Sequence, residues 1–94
     1  MQGQLNKTQS LISTLYEAKC KDIGVEPKEQ HKTMFSKGLT KSVLNRRLDV
    51  SQQMMSINGV GVIARIVSSE QIMHLDLSKN PIGLAGMKEL AKTI

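Results

Sequence analysis

The stretch 72–94, IMHLDLSKNPIGLAGMKELAKTI, decides how the chain is read. Leu75 and Leu77 alternate with His74, Asp76 and Ser78, so an extended backbone turns its leucines to one side and its polar side chains to the other. Asn80, Pro81 and Gly83 end that strand, because proline cannot donate to a ladder and glycine relaxes the turn. Beyond them Leu90, Ala91 and Ile94 recur at helical spacing, with the small Ala85 and Gly86 letting the helix lie close to the strand layer. Strand, turn and returning helix follow one another.

A single unit of this kind cannot bury its own apolar face, so a second copy is required. It stands 27 residues upstream. Sliding Leu48 onto Leu75 pairs Asp49 with Asp76, Ser51 with Ser78, Gly59 with Gly86 and Ala64 with Ala91 as identities. In the same register Val50 meets Leu77, Met55 meets Ile82, Ile57 meets Leu84, Val60 meets Met87, Ile63 meets Leu90, Arg65 meets Lys92 and Val67 meets Ile94. The upstream copy is less regular, with Gln53 in place of the turn asparagine and Asn45 where the later copy has Ile72.

Ahead of the repeats, 5–23 carry Leu5, Leu11, Ile12, Leu15, Tyr16, Cys20 and Ile23 at spacings of three and four, the pattern of an amphipathic helix. Asn6 and Gln9 have the spacing of a capping box, and Gly24 stands where such a helix closes. A second short helix is expected over 25–39, with Pro27 in its first turn, Met34, Phe35 and Leu39 inward and Gly38 at its end. Residues 40–47 then connect to the first strand, with Val43 and Leu44 in the core. The domain plan is a helical cap over 1–45 followed by repeats over about 46–71 and 72–94.

Lys28, Lys32, Lys37, Lys41, Arg46 and Arg47 against Glu29 give 28–47 a charge of +5, equal to the excess of the whole chain. Such a basic face can meet an acidic protein, an anionic membrane or nucleic acid, or it is simply a solvated helix face. Nucleic acid is the weakest of these, since Tyr16 and Phe35 are the chain's only aromatic residues. No stretch of about 18 apolar residues exists to span a membrane, and 1–30 have no secretory pattern. Cys20 is the single cysteine, which excludes an internal disulfide and suits a reducing, cytoplasmic compartment.

Little in the chain points to catalysis, a cofactor or a metal. His31 and His74 fall in different elements, Cys20 has no partner at ligand spacing, and Gly59 with Gly61 is too short a pattern for a phosphate loop. Asp49 and Asp76 occupy the same repeat position, so stacked strands bring them together as a ladder, with a basic residue of a partner, or Arg47 and His74 alongside, to relieve the repulsion. The expected binding surface is therefore the strand edge: Arg47, Asp49 and Ser51 from one copy, His74, Asp76 and Ser78 from the other.

Residues 45–94 resemble the ribonuclease-inhibitor-like class of leucine-rich repeats, and LDLSKNPIGLAGMKELAKTI follows its strand, turn and long-helix pattern. The resemblance implies an α/β solenoid of parallel strands and outer helices, capped by the N-terminal helices. More loosely, LYEAKCKDIGVEPK over 15–28 with RLDVS resembles the start of leucine-rich-repeat proteins of cilia and centrosomes. That implies a non-enzymatic scaffold of a cytoskeletal assembly such as the axoneme or centriole, with tubulin or axonemal subunits as partners. Other members of the class act as GTPase-activating proteins of the Ran type, which makes a fragment of one the alternative, with a basic nucleic-acid adaptor as the third reading. Because 72–94 reads as an uncovered end repeat, further repeats or a partner protein are expected to cover it.

Overall fold

The computed structural model describes residues 2–91, and side chains from residue 7 onward. Helix α1 (Gln2–Ile23) runs to Gly24, whose φ of 86° closes it. Its buried face is Thr8, Ile12, Leu15, Tyr16, Ala18 and Cys20, the three-and-four spacing expected from the sequence. Asn6 lies inside this helix, so it cannot serve as the N-cap of a capping box.

Helix α2 (Glu29–Leu44) continues through Gly38 instead of ending there, and Pro27 lies in the connector ahead of it. An internal glycine costs only about 1 kcal/mol. The packing of Phe35, Leu39 and Val43 on the core holds the helix together across it. Met34 and Leu44 point outward, 66% and 49% exposed, contrary to their expected inward place. Both stand one residue before or after the inward row, and α2 has the same rotation along its whole length. Asn45 ends the helix: its N–H donates to Lys41 O (3.2 Å) and Ser42 O (3.0 Å), and its Nδ2 donates to Lys41 O (3.1 Å). That duty explains why Asn45 replaces an apolar residue in the upstream copy. Arg46 follows in the left-handed region, φ 62°.

Strand β1 (Arg47–Asp49), helix α3 (Ile57–Ser69), strand β2 (His74–Asp76) and helix α4 (Gly83–Ala91) complete the order. The two strands are parallel, with Arg47 opposite His74, Leu48 opposite Leu75 and Asp49 opposite Asp76, the register set by the 27-residue offset. Backbone bonds extend the pairing at both ends, from Met73 N to Arg46 O (2.8 Å), Val50 N to Asp76 O (2.9 Å) and Gln52 N to Ser78 O (3.0 Å).

The architecture nevertheless corrects the expected α/β leucine-rich-repeat solenoid. Among the described residues helix dominates, in four segments, and the only sheet is a two-stranded one with three residues per strand. Strand growth is limited by left-handed residues, Arg46 before β1 and Gln52 after it. The core is built by helices instead. Ile12 and Leu15 of α1, Val43 of α2 and Val60, Ile63 and Ile66 of α3 are buried together with Leu48, Val50 and Met55. Leu75 and Leu77 only border that cluster, while Leu48 and Val50 are each 1% exposed. The expected pairings of Arg65 with Lys92 and Val67 with Ile94, and the inward place of Leu5, lie outside the described residues and side chains.

Two interhelical ties fix α3 on α1. At one end the Thr8 hydroxyl donates to Glu70 Oε1. At the other, Asp22 accepts from the backbone N–H groups of Ser56 (2.7 Å), Asn58 (3.0 Å) and Gly59 (2.7 Å) and from Asn58 Nδ2 (3.0 Å). Ser56 occupies the N-cap of α3 but makes no side-chain cap bond, so the cap comes from a different helix. Close approach demands glycine here: a Cβ on Gly59 would lie 3.0 Å from Met55 Cβ and 3.1 Å from Asp22 Oδ2.

Candidate protein-binding face

Period-two alternation puts Leu48 inward on β1 and leaves Arg47 and Asp49 exposed beside it. On β2 Leu75 turns toward the core while His74 and Asp76 are exposed. In-register pairing then sorts charge across the ribbon. Arg47 and His74 form one row, with Arg46 next to it, and Asp49 and Asp76 form the next. Strand neighbours stand about 4.8 Å apart, so each row is a short ladder of like side chains. An open groove runs over these rows and is also lined by Met73, which accepts a weak contact from Arg46 Nη1 at its Sδ (3.9 Å).

Serines two residues on hold both aspartates. Asp49 Oδ1 accepts from Ser51 N (3.0 Å) and Ser51 Oγ (2.7 Å), and Asp76 Oδ1 accepts from Ser78 N (2.9 Å). These are Asx turns, in which the carboxylate satisfies the backbone just beyond a strand. Hydrogen bonds from the Ser78 hydroxyl and then its N–H hold the Asp76 carboxyl below the usual carboxylate range, against a smaller upward push from burial. The hydrogen bonds that hold the two aspartates come from these serines, not from Arg47 or His74. The six strand-edge residues are thus brought together, four as outward rows and two as the clamps that orient the acids.

Of the basic residues of 28–47, Lys32, Lys37 and Lys41 line one open groove along α2, while Lys28 stands at its start and Arg46 beyond its end. Lys28 caps α2 and donates its backbone N–H to the Tyr16 hydroxyl (3.3 Å). Lys32 pairs with Glu17 at 2.6 Å, and that hydrogen bond raises the lysine and lowers the glutamate from their ordinary values. Lys37 and Lys41 stand exposed on α2, and Arg46 joins Arg47 beside the ribbon.

Asn80 and Asp22 were not among the expected site residues, yet each organises the surface. Asn80 Nδ2 donates to Val50 O (2.8 Å), Leu77 O (2.9 Å) and, more weakly, Ser78 O (3.3 Å). Its Oδ1 accepts from Gln53 N (3.1 Å) and Met55 N (3.0 Å), which ties the turn after β2 to the turn after β1. Burial pushes the Asp22 carboxyl up, but the N–H groups of Ser56, Gly59 and Asn58 and the Asn58 amide outweigh it and keep it below its ordinary value. A signal for Asp22 existed in the sequence: an acid in the last turn of a helix opposes the macrodipole and so has a reason elsewhere.

Among the described residues, no group of three or more His, Cys, Asp or Glu lies close enough to hold a metal ion, and no helix is long and apolar enough to cross a membrane. Cys20 is buried, whereas His31 and His74 are exposed on α2 and β2. No family model matches the chain, no curated protein is similar to it, and no solved structure matches it.

Proposed function

We propose that the chain is a non-catalytic protein-binding module that holds partners in a cytoskeletal assembly. One observation carries this reading: the exposed, in-register rows Arg47/His74 and Asp49/Asp76 on a ribbon whose backbone and acids are already tied in place. A surface ordered before binding loses little side-chain entropy on docking. Its adjacent rows of opposite sign select a partner with the complementary order and reject the reverse. Axonemal and other tubulin-based structures, with acidic protein surfaces, are the partner class for which Arg46, Arg47 and His74 are suited.

Cosedimentation of the full chain with purified axonemal doublets tests this, comparing wild type with Arg47→Glu/His74→Glu and with Glu26→Lys on the α1–α2 connector. The ribbon variant should lose roughly tenfold in affinity while the connector variant binds as wild type. Equal binding by all three proteins refutes the proposal, as does acceleration of GTP hydrolysis by a small GTPase in the absence of doublet binding.

A further inference from the structure

A second surface, separate from the ribbon, runs along α2. An open groove of about 570 Å³ lies between α1 and α2. Its wall on α2 is one continuous helical stripe, from Glu29, Lys32 and Thr33 through Lys37 to Lys41 and Leu44. The stripe lies beside the row Phe35, Leu39 and Val43 that packs inward, so α2 has a core face and an adjoining unpartnered one.

The donors in this groove are unevenly placed. Thr33 donates its hydroxyl hydrogen to Glu29 O (3.0 Å) and Thr40 to Ser36 O (2.6 Å), leaving neither as a donor to a ligand. Lys32 is neutralised by Glu17. Positive charge therefore concentrates on Lys37 and Lys41, one helical turn apart, with the half-exposed Leu44 next along the stripe. Short side chains between them keep the floor low enough for another backbone to approach. Glu29 sets the opposite sign at the far end.

We propose that this groove docks an acidic amphipathic helix of a partner protein, with a pair of its carboxylates on Lys37 and Lys41 and an apolar residue on Leu44. Charge complementarity selects the occupant. The spacing of the two lysines matches acids four apart on a helix, whereas a nucleic-acid strand would ask for more free cations and for exposed aromatic platforms. Tyr16 is buried and Phe35 packs against it with ring centroids 5.6 Å apart and planes tilted by 57°, so neither offers such a platform.

The test is fluorescence anisotropy of a labelled helical peptide of about 18 residues, five turns, with leucines on one face flanked by glutamates. A companion peptide carries lysines in place of the glutamates. The full chain should bind the acidic peptide, with affinity falling as salt rises. Lys37→Glu/Lys41→Glu should weaken it roughly tenfold or more and should bind the lysine peptide better than wild type does, a gain that a misfolded variant would not produce. Lys21→Glu, outside the groove, should leave both affinities unchanged. The proposal is overturned if Lys21→Glu weakens binding as much as the double variant, if the charge swap brings no gain, or if a DNA duplex or phosphatidylserine vesicles compete for Lys37 and Lys41 more tightly than the peptide.

Discussion

Removing the Asp22 carboxylate should unfasten the start of α3 from α1. Ser56 N and Gly59 N each sit 2.7 Å from Oδ2, and Asn58 presents two further donors at 3.0 Å to Oδ1. Hydrogen bonds to a charged acceptor contribute about 1.5–3 kcal/mol each where water cannot replace them. Asn58 is exposed and will be rehydrated, but Gly59 is buried and Ser56 half-buried, so roughly two bonds are lost outright. Asp22→Ala should therefore cost about 3–6 kcal/mol, out of the roughly 5–14 kcal/mol expected for a domain of this size. Asp22→Asn should cost about half as much, since its amide keeps the shape but turns one acceptor into a donor facing donors.

The pH dependence has a definite sign. The folded carboxyl titrates below its ordinary value, so its stabilisation is fully present above the unfolded pKa of about 3.9 and is lost as pH falls through the lower, folded value. Urea unfolding followed by circular dichroism at about pH 7 and about pH 3 measures both effects. The gap between wild type and Asp22→Ala should be wide at the higher pH and shrink at the lower. A gap under about 1 kcal/mol at neutral pH, or one that does not narrow in acid, would refute the assignment of Asp22 as the cap of α3.

Other tests address the ribbon and the repeat geometry. Asn80→Ala should cost about 2–4 kcal/mol and strip hydrogen-exchange protection from the Gln53 and Met55 amides; retained protection at both would show that the turn holds without it. Gly86→Ala should destabilise by about 1–3 kcal/mol, because a Cβ there would stand 2.4 Å from Ile82 Cγ2. Adding Ile82→Leu, which removes that methyl, should restore part of the loss, and no restoration in thermal melts would place the clash elsewhere. Leu48→Ala should cost roughly 2–5 kcal/mol and Leu75→Ala less, as Leu48 is fully buried and Leu75 half-buried; the reverse order in denaturant midpoints would invert the inward assignment. Lys79→Gly should stabilise by roughly 0.5–1 kcal/mol, since Lys79 holds φ at 59°, and a measurable loss would mean that the lysine side chain has a contact worth keeping.

Local pairing was legible in the sequence, and the global architecture was not. Aligning Leu48 with Leu75 and Gly59 with Gly86 anticipated which residues would sit side by side, because a repeated pattern of inward and outward side chains admits only one register. Those identities carry no measure of how much backbone stays extended. Each strand stops at three residues, so most of the buried surface comes from α1, α2 and α3. Pairing of charges was likewise beyond the sequence: composition adds charges along the chain, whereas Lys32 is matched with Glu17, 15 positions away, only after α1 and α2 pack.

Sequence alone determined the strand register and the alternation that exposes Arg47, Asp49, His74 and Asp76, since period acts over a few residues. Tertiary structure decided that Asp22 would cap a helix from 34 residues away and that Asn80 would tie one turn to another. It also decided which lysines stay free. Those outcomes depend on where separate elements meet in space, and the energies that select the meeting are sums over the whole core.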